Sequence, residues 1–252
     1  MVDVKGIRIG TGKPKICVPI VSRDAEGIIE SARLIAMSQA DLAEWRADLF
    51  EGHGDTVKVM EVLRSLRNAL GDKPLMFTLR SAQEGGGSNL SGEQAARLLM
   101  NAAASGNTDL LDIEMFSYGG LLRMAVDSAK GCGVSVVGSY HDFYKTPDKS
   151  EIISRLVEIH ASGADISKIA VMPNSRRDVF NLLDAALIIN EKNPEITLVC
   201  ISMSGIGALS RLTGEFFGSS LTFAAIGEGS APGQIGIESL ASVQDVLHSS
   251  LA

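Results

Sequence analysis

GADISKIAVM, residues 163–172, reads as a buried β-strand with a lysine, Lys168, in its middle. Comparable short apolar runs recur along the chain: KICVPIV (15–21), LAEWRAD (42–48), PLMFTLR (74–80), DLLDIEM (109–115), VSVVGSY (134–140), ITLVCISM (196–203) and SLTFAAIG (220–227). Between them lie longer segments such as DAEGIIESARLIAMSQA, TVKVMEVLRSLRNAL, GEQAARLLMNAAAS and RRDVFNLLDAALIINEK. Their apolar residues recur at i, i+3, i+4 and i+7, the spacing of a helix with one buried face. Ser91 and Gln94 have capping-box spacing at the start of the third. Eight strand-then-helix units in 252 residues predict an α/β fold, a closed (β/α)8 barrel forming one domain over residues 1–252. The runner-up is an open doubly wound sheet, which usually carries a GxGxxG turn after its first strand; none stands there. Residues 1–14, with VKGIRIG, form an extra strand or hairpin outside the eightfold count, placed to close the barrel floor.

Composition narrows the function. With 45% hydrophobic and 21% charged residues the chain can bury a large core. A net charge of −7 excludes the basic stripe that nucleic acid or an anionic membrane would require. The long uncharged stretch from Ile196 to Ser210 is rich in serine and glycine and falls short of the roughly 20 apolar residues of a membrane span. MVDVKGIRIG lacks the apolar core of a signal peptide, so a cytosolic protein is expected. Cys17, Cys132 and Cys200 lack CxxC spacing and read as small packing residues. No HxH or HExxH pattern supports a metal site.

Strand parity then gathers the polar residues. In a parallel barrel the helices cover one face of each strand and alternate residues fill the lumen. If Trp45, Ala43 and Ala47 face the helices, Glu44 and Arg46 point inward. Likewise Thr78 and Arg80 share a face, as do Asp112 and Glu114, Ser139 and His141, and Lys168 with Ile166 and Ala170. Glu44, Arg46, Asp112 and Glu114 could simply be a layer of ion pairs, and His141 a core histidine satisfied by a neighbour. Lys168 is harder to explain that way, since a lysine is almost never buried without a partner or a task. Schiff-base chemistry is such a task and needs the neutral amine, which burial and nearby cations favour. Arg80, Arg46 and Arg211 are the expected neighbours, and His141 the general base within reach.

Asp112-Ile113-Glu114-Met115, then Val136-Val137-Gly138-Ser139-Tyr140-His141-Asp142, resembles the histidine signature of the type I 3-dehydroquinate dehydratases of the shikimate pathway. Asp165-Ile166-Ser167-Lys168-Ile169-Ala170 is similar to their Schiff-base strand. Residues 203–211, MSGIGALSR, resemble their arginine loop, and GSAPGQ (229–234) their last loop. Glu44-Trp45-Arg46-Ala47-Asp48 and Arg80 through Glu84-Gly85-Gly86 complete a set spanning almost the whole chain. One departure is Ile201, where some members carry methionine; it touches pocket packing only.

The resemblance implies a lyase that dehydrates 3-dehydroquinate to 3-dehydroshikimate by syn elimination. Lys168 would form an imine with the C3 ketone, and His141 would remove a C2 proton and protonate the departing C1 hydroxyl. Glu84 would orient His141, while Arg211 would clamp the substrate carboxylate. Glu44, Arg46 and Arg80 would read ring hydroxyls, with Ser22, Met203 and Phe223 completing the pocket and Ser230 and Gln234 contributed by a closing loop. No metal or organic cofactor is implied, and a homodimer is expected because the family commonly forms one. Two other readings compete: a Schiff-base aldolase taking GEGSAPGQ (227–234) as a phosphate loop, and a barrel that only binds a small anion. The first explains neither His141 nor Glu84, and the second leaves the buried lysine unexplained.

Overall fold

The computed structural model describes residues 1–118, 121–226 and 233–251, apart from the side chains of residues 122 and 123. Strand and helix alternate: β1 (Val2–Val4), β2 (Ile7–Ile9), β3 (Lys15–Ile20), α1 (Ala25–Ala36), β4 (Leu42–Arg46), α2 (Thr56–Leu70), β5 (Leu75–Thr78), α3 (Gly92–Ala104), β6 (Leu110–Glu114) and α4 (Leu121–Gly131). There follow β7 (Ser135–Asp142), α5 (Lys149–Ala161), β8 (Ile166–Val171), α6 (Arg176–Lys192), β9 (Thr197–Ser202), α7 (Ala208–Leu212), α8 (Gly214–Phe217), β10 (Leu221–Ala225), β11 (Ile235–Gly236) and α9 (Ile237–Ser249).

Helix ends are set by local chemistry. Asp55 caps α2 by accepting from Val57 N at 3.0 Å, and Gly71, at φ 59°, ends it. Ser91 and Gln94 form the reciprocal capping box of α3.

Strands β3 to β9 pair in sequence order, all parallel, and β10 pairs in parallel with β3. The curled sheet returns on itself where Ser220 N–H donates to Leu198 O at 2.7 Å, beside the bridge between Leu198 and Ser219. That is the (β/α)8 ring the alternation predicts. Outward-facing Trp45, Phe77, Ile113 and Val136 pack with the helices in one large apolar cluster.

Inside, residue character changes along each strand. Cys17, Leu42, Met76, Leu110, Val137, Ile166, Val199 and Leu221 make an apolar layer at the N-terminal end. Two residues further on, several strands turn polar: Glu44, Thr78, Asp112, Ser139 and Lys168 are all buried. The antiparallel hairpin of β1 and β2 adds Val4 and Ile9 to the apolar layer and so plugs the floor. This end excludes water, and the polar residues crowd towards the C-terminal mouth, where active sites of this fold stand.

Cys17 and Cys200 are buried, but Cys132 is exposed. The packing role read for all three therefore fails for Cys132, which lies just beyond α4 and outside any strand.

Candidate active site

Lys168 stands in the middle of β8 and is only 4% exposed. Its Nζ lies 2.8 Å from Asp112 Oδ2 and 3.8 Å from Glu44 Oε1, and 4.8 Å from the centre of the Phe223 ring. The arginines expected beside it, Arg46, Arg80 and Arg211, share its cavity, but its ion-pair partners are carboxylates, which the sequence reading did not assign to it. Arg80 reaches the same Asp112 from the other side, Nη2 to Oδ1 at 2.7 Å. Burial opposes ionisation of Asp112, yet Arg80 and Lys168 together hold its carboxyl well below the usual carboxylate range. A buried amine beside a charged carboxylate satisfies the rule that buried charges are paired.

Arg80 is a hub. Its Nη1 donates to Ser139 Oγ at 3.0 Å and Glu114 Oε1 at 3.2 Å, and lies 3.6 Å from Glu84 Oε2. These bonds occupy much of a guanidinium that the resemblance would give to substrate. The return from Arg80 to Ser88 is tight, and only glycine fits at Gly86, where a Cβ would lie 2.2 Å from Arg80 O. Asp48 ties this loop down by accepting from Arg80 N at 3.2 Å and Gly87 N at 2.9 Å. It also holds Arg46 Nε and Nη2, each at 2.8 Å.

His141 extends from β7, which runs two residues beyond the predicted Tyr140 to Asp142. Glu84 Oε2 accepts from its backbone N–H at 3.0 Å and lies 2.9 Å from its Nδ1. With Nδ1 facing a carboxylate, Nε2 is left as the basic nitrogen. Burial pushes the imidazole well below its usual pKa, and the neighbouring Arg80 and Lys168 cations push the same way. Burial also raises Glu84, against the pull of Arg80, to about 7.

A cavity of about 140 Å³ joins these groups, lined by Glu44, Arg46, Arg80, Glu84, His141, Lys168, Met203, Arg211, Phe223 and Gln234, with Pro19, Leu49, Phe143 and Ile201 among the rest. Arg211 lies in the short helix α7 instead of a loop and is 4% exposed. Among the described residues its Nε has no hydrogen-bond partner, and burial lowers its pKa. Among the described residues no carboxylate lies within ion-pairing distance of it, which suits capture of an anion from outside.

One predicted residue falls elsewhere. Ser22 lines an adjoining cavity that shares Pro19 and Val21 with the first, its Oγ 3.2 Å from Ser31 Oγ. The neighbouring Pro19 and Val21 form the wall it was expected to join. Ser230 lies outside the described residues.

Asp112, Asp48, Ser117 and Phe143 were not singled out for the site. Parity placed Asp112 on the inner face, but its reach to Lys168 across the intervening β7 depends on the stagger between strands. Phe143, two residues after His141, sits at the pocket rim with 41% exposure. Among the described residues no group of three or more His, Cys, Asp or Glu side chains could hold a metal ion, and no helix is long and apolar enough to cross a membrane.

Comparison with known proteins places this geometry. Residues 16–250 match the family model for type I 3-dehydroquinase. The 3-dehydroquinate dehydratase of Bacillus licheniformis is 43% identical over 251 residues, covering 100% of this chain and 99% of that protein. That of Listeria monocytogenes is 44% identical over 247 residues, 98% of each chain. The crystal structure of the type I 3-dehydroquinate dehydratase of Clostridium difficile, with covalent modified comenic acid, superimposes with a TM-score of 0.96 at 43% identity, covering 99% of this chain and 98% of that one.

Proposed function

The chain belongs to the type I 3-dehydroquinase family, and on that premise we propose how this pocket dehydrates 3-dehydroquinate to 3-dehydroshikimate, a reaction of the shikimate pathway. The substrate enters as an anion, and Arg211 receives its carboxylate. Its C3 ketone then meets Lys168. The amine, after yielding a proton, attacks the carbonyl carbon; water leaves and an imine links Lys168 to C3.

The protonated imine is an electron sink beside C2. His141 Nε2 takes a C2 proton, and the C–H electron pair moves into the C2–C3 bond to give an enamine. The enamine then expels the C1 hydroxyl, which His141 protonates so that it departs as water. Hydrolysis of the conjugated imine frees Lys168 and the enone. Glu84 holds the imidazole through Nδ1 and balances its charge between the two proton transfers. Glu44 and Arg46 line the ring-binding part of the cavity, with Met203, Phe223 and Gln234, and bind the hydroxylated ring there. Ser230 belongs to this proposal by resemblance alone.

The observation that carries the reading is the convergence of a buried lysine, a histidine held by a carboxylate and an arginine without a carboxylate partner among the described residues, all on one cavity. We further infer that residues 1–252 act as one barrel domain, that the protein is cytosolic, and that it forms a homodimer as the family commonly does. Mixing the purified protein with 3-dehydroquinate should produce rising enone absorbance; no rise above the uncatalysed rate would contradict the assignment.

A further inference from the structure

Resting on the reading of His141 as the proton-transfer base, we propose that Ser117 is a positioning residue for that base: its hydroxyl holds one oxygen of Glu84 so that the other faces the imidazole. Ser117 Oγ donates to Glu84 Oε1 at 2.8 Å. Oε2 meanwhile serves both His141 N, at 3.0 Å, and His141 Nδ1, at 2.9 Å. The terminal torsion of a glutamate is broad and nearly two-fold, so nothing intrinsic to the side chain keeps Oε2 in that place. A donor fixed on Oε1 does.

The donor is itself held. Met115 N–H donates to Ser139 O at 2.9 Å, continuing the bonding of β6 to β7. Phe116 packs edge-on against Tyr140 with ring centres 5.6 Å apart, and Arg155 covers the Phe116 ring at 4.9 Å. Ser117 therefore leaves a segment anchored to the strand that carries His141.

The charges facing Glu84 cannot replace this bond. Arg80, on its own loop, is 3.6 Å from Oε2 and is committed to Asp112, Glu114 and Ser139. Glu114 and Asp112 on β6 are acceptors when ionised and repel the carboxylate. His141 on β7 already uses Oε2. Tyr118, next to Ser117, has its hydroxyl near Ser81 and makes no hydrogen bond to Glu84. Among the described residues Ser117 alone donates to Oε1. Without it a buried oxygen loses its donor, which favours the protonated, rotated carboxyl.

The test compares Ser117→Ala and Ser117→Thr with the unsubstituted enzyme. In the alanine variant kcat should fall about tenfold, the loss of one hydrogen bond to a charged group. The acid limb of its pH profile should move to higher pH, and KM should stay within about twofold, since Ser117 does not line the substrate cavity. Threonine should restore both kcat and limb. An alanine variant with unchanged kcat and limb, a kcat loss without a shifted limb, or a threonine variant as impaired as alanine would each overturn the proposal. Borohydride trapping of the imine separates the two layers of argument. Equal trapping in wild type and variant alongside an unmoved limb removes the role of Ser117 alone, whereas no trapping in either sinks the functional reading and this proposal with it.

Discussion

Lys168 and Asp112 meet across a strand: Nζ on β8 lies 2.8 Å from Oδ2 on β6, with β7 between them. Both side chains are almost fully enclosed. The amine that must become a nucleophile therefore rests against an anion, and Arg80 takes the opposite oxygen of that anion. Reaction at this amine requires its proton to leave while the carboxylate keeps Arg80 as its partner.

His141 supplies the base, so His141→Ala should still form the imine but stall afterwards. We expect kcat to fall by about 10²–10⁴, the usual contribution of a positioned acid–base group, with the substrate adduct accumulating in mass spectra. A variant that dehydrates at full speed would take His141 out of the mechanism.

Activity should fall as pH drops through about 7. Burial raises Glu84 to about that value, whereas His141 is pushed well below its usual range and stays a base. Protonating Glu84 removes the counter-charge that His141 needs. The sign for stability is opposite: a carboxyl whose folded pKa is raised favours the fold at low pH, and that contribution is lost as pH rises through about 7. Glu84→Gln should lower kcat, flatten the acid limb and raise the melting temperature above neutral pH relative to wild type; an unchanged limb would count against this.

Arg211→Leu should weaken substrate binding and strengthen the empty protein. A bidentate contact to a carboxylate is worth about 2–3 kcal/mol, so KM should rise about 30–150-fold. Removing a buried cation that lacks a carboxylate partner among the described residues should stabilise by about 1 kcal/mol, read by denaturant titration. Unaltered KM would remove Arg211 from the anion site.

The floor should be separable from the chemistry. Ile9 is 1% exposed within the inner apolar layer, so Ile9→Ala should cost about 2–5 kcal/mol while kcat at low temperature stays near normal. A large kcat change in a fully folded variant would mean that the hairpin reaches the site in some other way.

Elements with both a periodic face and explicit end signals were legible in the sequence. The segment TVKVMEVLRSLRNAL is helix α2 from Thr56 to Leu70 because Asp55 caps it and Gly71 stops it. Parity also placed Glu44, Arg46, Thr78, Asp112 and Ser139 on the inner face, since alternation is a local property of strands. Contacts that depend on stagger and loop path were not legible. Lys168 pairs with Asp112 and Glu44, Ser22 turns to Ser31, Arg211 lies on a helical turn, and Ser117 reaches Glu84 from the loop after β6. No spacing rule encodes those meetings.

The imine on Lys168 is the central claim, and reduction with borohydride in the presence of 3-dehydroquinate tests it most directly. Peptide mass spectrometry should find one covalent adduct, on Lys168. Lys168→Met should form none and lose turnover while retaining some affinity for ligand. An adduct on another lysine, no adduct at all, or a Lys168→Met enzyme with near-normal rate would contradict the account.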